Sequence, residues 1–154
     1  MKIFGSVLLA AVAVAAQKAN IAVPINGTDV QAGSNITIEV DRPNFLSSAN
    51  EVAIVLGLVS CSDNSTCRAP QEGGGINEIL YQGPFNPQYG GYYALPPHQN
   101  FTVTVPADFA NGTAQLSLTQ FTLIGASLTP TLFYDVVHVN VVDAEAGSCA
   151  RNVS

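Results

Sequence analysis

The sequence predicts an all-β domain: a single antiparallel sandwich of about seven strands, of the immunoglobulin or fibronectin type. Short apolar runs recur with turn residues between them, and no 3.6-residue periodicity continues beyond the first residues. Hydrophobic residues make up 47% of the 154-residue chain, which is enough to build one core. Because the chain has no tryptophan, it lacks the Cys…Trp…Cys core of a true immunoglobulin domain, and only the architecture is predicted.

The predicted strands follow one another along the chain, and most of them alternate apolar and polar residues. EVAIVLGLVS is apolar on both faces, which indicates a central strand. In AQLSLTQFTLIG, Leu116 and Leu118 share one face, and the apolar phase then shifts to Phe121 and Leu123. This shift predicts a bulge or a twist near Thr119-Gln120. The seven runs are NIAVPI, NITIEV, EVAIVLGLVS, INEILYQG, FTVTVP, AQLSLTQFTLIG and TLFYDVVHVNVV.

The first residues have the organisation of a secretory signal peptide. Lys2 precedes an apolar run over 3–14, and small residues follow it. The run spans about a dozen residues, whereas a membrane-spanning helix needs about 20. We therefore expect a signal peptide at 1–16, a sandwich domain at 17–143 and a polar tail at 144–154, with no membrane span.

Charge and glycosylation motifs also indicate a secreted protein. The formal net charge is −6, with only 5 Lys and Arg residues, which excludes a nucleic-acid-binding protein because phosphate contacts need clustered cations. Six N-x-S/T sequons predict a glycoprotein. The predicted glycosylation sites are Asn26, Asn35, Asn64, Asn100, Asn111 and Asn152.

The three cysteines predict one disulfide. Cys61 and Cys67 bracket the polar stretch SDNST, and an oxidising compartment favours their pairing. The alternative pairs Cys149 with one of them, since three cysteines cannot all pair within one chain. No C-x-x-C motif occurs and neither histidine lies near these cysteines in sequence, so no metal site is expected.

The connection from Arg68 to Gln99 is the candidate binding region. It holds six of the 13 glycines, five of the nine prolines and five of the twelve aromatic residues. Tyrosine-bearing loops on rigid sandwiches often bind partners. The alternative is that these rings cover the open edge of the sandwich. The candidate binding residues are Tyr81, Phe85, Tyr89, Tyr92 and Tyr93.

No motif supports catalysis or a cofactor. His98 and His138 are not accompanied by a G-x-S-x-G nucleophile motif. Glu39 and Asp41 share one face of a strand, which we interpret as a solvated face rather than a glycosidase pair. The run Gly73–Gly75 is not followed by Lys-Ser/Thr, so a phosphate-binding loop is excluded. We therefore expect a protein that is not an enzyme.

The order of strands and turns carries a family resemblance. The matching stretches are EVAIVLGLVS, then INEILYQGPFNPQY, then NFTVTVPADFANGTAQLSLTQFTLIGASLTPTLFYDVVHVNVV. Together they resemble the necrosis-inducing secreted proteins (Nis1-like), a family of fungal effectors, and the resemblance covers residues 21–142. It implies a non-enzymatic effector that suppresses pattern-triggered plant immunity by binding immune-receptor-associated kinases and induces cell death when abundant. Because kinase domains lie inside the host cell, it also implies uptake after secretion.

A second function stays open at this point. The opening P-x-N-G-x-x-V-x-A-G-S-x-I-T also suits β-sandwich modules of fungal wall proteins, and the sequons are dense. The alternative is therefore a cell-wall or glycan-associated module. Retention on chitin or β-glucan distinguishes it from an effector that binds host kinases.

Overall fold

The computed structural model describes residues 18–44, 48–61, 67–91 and 95–143, and within them it confirms the predicted all-β sandwich. The expected signal peptide and polar tail lie outside these residues. So do five of the candidate residues: Asn64, Tyr92, Tyr93, Cys149 and Asn152.

Eight strands form the described part of the chain, one more than predicted. A 3₁₀ turn, Pro70–Glu72, lies in the connection between the fourth and fifth strands. The strands are β1 Asn20–Val23, β2 Thr28–Gln31, β3 Asn35–Asp41, β4 Ala49–Ser60, β5 Glu78–Gly83, β6 His98–Thr104, β7 Gly112–Ile124 and β8 Thr129–Val142.

The strands form two sheets. The three-stranded sheet has the order β1-β3-β6, and the five-stranded sheet has the order β2-β8-β7-β4-β5. Every neighbouring pair is antiparallel except β2 and β8, which run parallel. The sequence did not reveal β2 because this four-residue strand buries one side chain, Val30, and offers no alternating pattern.

The core lies between the two sheets. Ile38 and Val40 of β3 belong to one apolar cluster with Leu56 of β4, Leu116 of β7 and Val139 of β8, and each of these side chains is at most 1% exposed. Burying one such side chain contributes about 1.5–3 kcal/mol. The cluster therefore supplies the main stabilisation of the sandwich.

The bulge predicted near Thr119-Gln120 is wrong. β7 pairs with β8 in an unbroken register from Gly112 to Ile124. The irregularity lies in the neighbouring strand β4, where the register shifts between Glu51 and Ala53.

A buried polar side chain explains why inward- and outward-pointing side chains alternate without interruption along β7. Gln120 is 0% exposed and points inward. Its Oε1 accepts a hydrogen bond from the backbone N–H of Ala19 at 2.8 Å, and its Nε2 donates to Glu51 Oε2 at 2.7 Å. Buried amides are tolerated when they are paired in this way. As a result Phe121 and Leu123 point outward, opposite to the prediction.

Candidate functional site

The outer face of the five-stranded sheet is apolar at its open end. Cross-strand neighbours form two rows there, Val55–Thr119–Tyr134 and Ala53–Phe121–Leu132. Leu132 of β8 is 52% exposed and Ile79 of β5 is 58% exposed. We call this surface the apolar face, and it comprises Ala53, Val55, Ile79, Phe121, Leu132, Tyr134 and Val136.

The other end of the same sheet is covered by the segment 67–77. Gln115 of β7 is 1% exposed, although it points away from the core. Its Nε2 donates a 3.0 Å hydrogen bond to the backbone carbonyl of Arg68. Ile76 lies over Gly57 so closely that a Cβ at this position would collide with the isoleucine side chain. Among the described residues, the chain therefore covers one end of the sheet with its own segment, and none of them covers the apolar face.

The outer face of the three-stranded sheet is polar. Its side chains alternate with the core residues of β3 and β6, and Thr104 Oγ1 donates a 2.7 Å hydrogen bond to Asn35 Oδ1 across the two strands. Thr37 and Thr102 are cross-strand neighbours, and both are exposed. We call this surface the polar face, and it comprises Asn35, Thr37, Glu39, Asp41, Asn100, Thr102 and Thr104.

The sequon asparagines that the structure describes are all exposed, and none of the four lies on the apolar face. Asn35 and Asn100 belong to the polar face. Asn111 directly precedes β7, and Asn26 lies beside β8, where its Oδ1 accepts a hydrogen bond from the backbone N–H of His138. Glycosylation at these positions stays a prediction, and the exposure that it requires is present.

The described aromatic rings of the candidate binding region divide into two roles. Tyr81 packs against Phe101 with ring centroids 4.5 Å apart, and Phe85 is only 3% exposed and lies 6.5 Å from the same ring. For these two rings the structure shows the covering role. Tyr89 is 53% exposed, and its hydroxyl donates to Asn44 Oδ1 at 2.8 Å. Of the three, only Tyr89 is available to a partner.

An open depression of about 430 Å³ lies beside this region. Arg42 Nε donates a 2.6 Å hydrogen bond to Glu51 Oε1, and the second carboxylate oxygen of Glu51 accepts from Gln120. Both oxygens of this carboxylate are thus hydrogen-bonded by side chains of the chain itself. The lining residues are Arg42, Ala49, Asn50, Glu51, Phe85, Asn86 and Pro87.

Of the titratable residues considered for catalysis, Glu39, Asp41 and His98 lie together in the three-stranded sheet, and His138 lies apart from them. His98 begins β6 in one sheet and His138 lies in β8 of the other. Asp41 is the cross-strand neighbour of His98, and Glu39 lies two residues before it on the polar face. Burial, and then the charge of Glu39, raise the pKa of Asp41 above its ordinary value, while His98 acts in the opposite direction. This arrangement is that of a crowded surface strand.

The predicted disulfide is present. Cys61 and Cys67 are bonded, with their Cα atoms 5.0 Å apart. His138 is near them in space although distant in sequence: its ring nitrogen and the two sulfurs lie within 4.8 Å of one another. The proximity arises because Cys61 continues β4 alongside β7, its N–H donating to Thr113 O at 2.9 Å, and β8 lies on the other side of β7. No sequence signal indicated this cluster.

The chain was compared with known proteins. The model of a family described as the Nis1 family matches residues 14–140. No curated protein matches significantly. In the described part of the chain, no helix has the length and apolar character that crossing a membrane requires.

Several solved structures are distantly similar. A superoxide reductase (neelaredoxin) from Ignicoccus hospitalis is 14% identical over 82% of this chain and 81% of that chain, with a TM-score of 0.47. The fibronectin(III)-like modules of CbhA from Clostridium thermocellum are 12% identical over 80% of this chain and 93% of that chain, with a TM-score of 0.41. A cellulose-active polysaccharide monooxygenase from M. thermophila is 14% identical over 75% of this chain and 54% of that chain, with a TM-score of 0.43. These similarities are too low to bear on function.

Proposed function

The chain belongs to the Nis1 family, and from this premise we propose that it is a secreted, non-enzymatic fungal effector. In this proposal it suppresses pattern-triggered plant immunity by binding immune-receptor-associated kinases, and it induces cell death when abundant. We propose further that the apolar face binds the kinase domain.

Family membership and the Cys61–Cys67 disulfide point to an extracellular protein. The predicted signal peptide and sequons agree with secretion by the fungus. Since the kinase domains lie in the host cytosol, the proposal includes uptake into the plant cell after secretion.

One observation supports the choice of the apolar face as the binding surface: the polar face carries sequons, whereas the apolar face carries none of those described and exposes apolar side chains. The polar face bears the sequons at Asn35 and Asn100, and glycans there would hold a partner away from it. The apolar face bears none of the described sequons. It exposes Leu132 next to Tyr134 on β8 and, on the edge strand β5, Ile79. Uncharged surfaces with aromatic and aliphatic side chains form the centres of protein–protein interfaces.

The polar groups of the described chain support binding rather than turnover. Glu51 is held by Arg42 and Gln120, and the two histidines lie in different sheets. A nucleophile, its base and an orienting group must lie within hydrogen-bond reach of one another for covalent catalysis. The proposal therefore assigns the protein a partner and no substrate.

The direct test measures binding of the glycosylated mature protein to purified cytoplasmic domains of plant receptor-associated kinases. Leu132→Lys places a charge on the apolar face, and we expect the Kd to rise at least tenfold, about 1.4 kcal/mol. Thr104→Lys adds the same charge to the polar face without altering either of its sequons and should change the Kd less than twofold. Both residues are exposed, so neither substitution should affect folding.

Three results would contradict the proposal. The first is that no kinase domain binds under conditions where another family member does. The second is equal binding by the two lysine variants, which would reject the apolar face but not the partner. The third is retention of the protein on insoluble chitin or β-glucan without kinase binding, which would instead support the wall-associated module.

A further inference from the structure

The disulfide and His138 form a cluster that the proposed function does not use. The two sulfurs of Cys61 and Cys67 and a ring nitrogen of His138 lie within 4.8 Å of one another at the edge of the covered end of the five-stranded sheet. We propose that these three residues are a redox-gated metal site, which is closed while the disulfide is intact and binds one Zn²⁺ when the disulfide is reduced.

The chemistry of the three donor atoms determines both the redox state in which the site can bind a metal and the ion that it binds. A disulfide is not a metal ligand, whereas a thiolate is. Two thiolates and one imidazole are a ligand set for zinc, and a fourth position stays open to water or to a partner side chain. Zn–S bonds of about 2.3 Å and Zn–N bonds of about 2.0 Å place the ligand atoms of a tetrahedral site about 3.3–3.8 Å apart. The imidazole nitrogen therefore needs to approach the sulfurs by at most about 1.3 Å, while the two sulfurs, which are bonded to each other in the disulfide, need to separate by about 1.7 Å once they are reduced.

The gate opens by thiol–disulfide exchange. A dithiol reductant supplies two electrons and two protons, the Cys61–Cys67 bond breaks to two thiols, and the reductant leaves as its own disulfide. Zn²⁺ then replaces the two thiol protons, which are released to solvent. The reductant is of the kind that keeps the cytosol reducing, so the site would be closed outside the cell and open inside it.

Reduction does not release the backbone that carries the first two ligands. The N–H of Cys61 donates to Thr113 O at 2.9 Å as a continuation of the pairing of β4 with β7. On the other side of the loop, Cys67 precedes Arg68, whose carbonyl accepts from the buried Gln115. The backbone of Cys61 and that of Arg68, the residue after Cys67, are thus held to β7 independently of the sulfur–sulfur bond.

The third ligand is positioned by the sheet. His138 lies in β8, its N–H donates to Asn26 Oδ1 at 2.8 Å, and its side chain is exposed on the outer face. Because its cross-strand neighbour is Gln115, the imidazole lies beside the residue that anchors the segment 67–77. A site with its ligands held in place loses less conformational entropy on binding the metal.

The test uses the mature protein with Cys149→Ser, so that the third cysteine cannot supply a ligand. The protein is reduced, its two free thiols are counted, and Co²⁺ is titrated without oxygen as a spectroscopic probe for Zn²⁺. We expect one equivalent of Co²⁺ to bind, with a thiolate-to-cobalt charge-transfer band and the intense visible bands of a tetrahedral site. Adding Zn²⁺ should bleach these bands. The oxidised protein should show neither band.

Matched variants identify the ligands. His138→Asn should weaken Co²⁺ and Zn²⁺ binding at least tenfold, whereas His98→Asn, which alters the other histidine, should leave it unchanged. Cys61→Ser combined with Cys67→Ser should abolish the charge-transfer band. Far-UV circular dichroism checks that each variant is folded, and a Zn²⁺-dependent rise in the melting temperature of the reduced protein gives a second measure of binding.

The proposal is overturned if the reduced protein binds Co²⁺ no better than the double serine variant. It is also overturned if the oxidised protein binds equally well, or if His138→Asn and His98→Asn have the same affinity as the parent. If reduction unfolds the protein and Zn²⁺ does not restore the fold, the site is likewise rejected.

Discussion

The two outer faces of this sandwich differ although the inner faces are alike. Both sheets direct aliphatic side chains into one core. Outside, the three-stranded sheet presents threonines, carboxylates and two sequon asparagines. The five-stranded sheet presents exposed Leu132 beside half-buried Phe121 and Tyr134, and exposed Ile79 on its edge strand β5. A solvated sheet face is ordinarily polar. The polar face fits that rule, and the apolar face departs from it.

The covered end of the five-stranded sheet helps to interpret the apolar character of its outer face. There Ile76 of the segment 67–77 lies over Gly57, and the outward-pointing Gln115, which donates to the Arg68 carbonyl, is only 1% exposed. Within the part of the chain that the structure describes, one portion of the outer surface of this sheet is thus covered by the protein's own residues and the remainder is not. Exposed apolar patches are a feature of interaction sites. This difference between the two faces is the reason why we assign the binding surface to the apolar face.

The largest expected effect separates inner from outer positions of the same sheet. Leu116→Asp places an unpaired charge at a position that is 0% exposed and should destabilise the fold by several kcal/mol, enough to unfold it. Leu132→Asp makes the same chemical change at a position that is 52% exposed and should alter stability by less than about 0.5 kcal/mol. Chemical denaturation of the two variants measures both. Similar destabilisation would mean that Leu132 belongs to the core.

A smaller effect distinguishes the covered end from the open face. Gly57→Ala places a methyl group against Ile76 and should displace the segment 67–77, which costs about 1–3 kcal/mol. Gly91→Ala adds the same methyl group where no atom lies within 4 Å and serves as the control. Thermal unfolding compares them. Equal melting temperatures would show that the cover is not packed tightly.

Placing a glycan on the apolar face, or removing the glycans of the polar face, tests which of the two faces contacts the kinase domain. Leu132→Asn with Tyr134→Thr creates a sequon on the apolar face, and its glycan should weaken kinase binding at least tenfold, about 1.4 kcal/mol. Asn35→Gln with Asn100→Gln removes the two sequons of the polar face and should leave the Kd within about twofold. Mass spectrometry confirms occupancy in each protein. Strong binding by the first variant would exclude the apolar face as the contact surface.

The smallest effect concerns the crowded carboxylates of the polar face. The pKa of Asp41 is raised in the folded protein, mainly by burial, so the folded state holds this proton more tightly than the unfolded state. Its contribution to stability is therefore most favourable below the ordinary aspartate pKa and is lost as the pH rises through the raised folded value. Asp41→Asn should remove this loss and stabilise the protein slightly at neutral pH, by less than about 0.5 kcal/mol.

A second substitution identifies the minor cause of that shift. Glu39→Gln removes the neighbouring charge and should recover part of the same stabilisation, because Glu39 is the second cause of the raised pKa. The free energy of unfolding measured from pH 3 to 7 checks both variants. A steeper loss of stability with rising pH in Asp41→Asn than in the parent would contradict the assignment.

The strand pattern was predictable because burial on one side of a strand imposes a two-residue period. That rule fails where a polar residue is buried. Gln120 occupies an inward position because Ala19 and Glu51 satisfy its amide, and these partners lie 101 and 69 residues away in sequence. Without them the apolar residues Phe121 and Leu123 suggest the opposite phase.

The features that define the candidate sites depended on register and long-range packing. The aromatic-rich connection was identified from composition, but only the structure shows that Tyr81 and Phe85 pack on the core while Tyr89 is exposed. The proximity of His138 to the disulfide follows from the order β8-β7-β4 in the sheet, which a pattern of strands does not specify.

The most direct measurement is a methyl NMR titration of the mature protein, labelled at isoleucine, leucine, valine and threonine methyl groups, with a purified kinase domain. The account predicts that the methyl signals of Ile79, Leu132 and Val136 shift or broaden, while those of Thr37 and Thr102 stay unchanged. Perturbation of the two threonines without perturbation of the apolar face would contradict it.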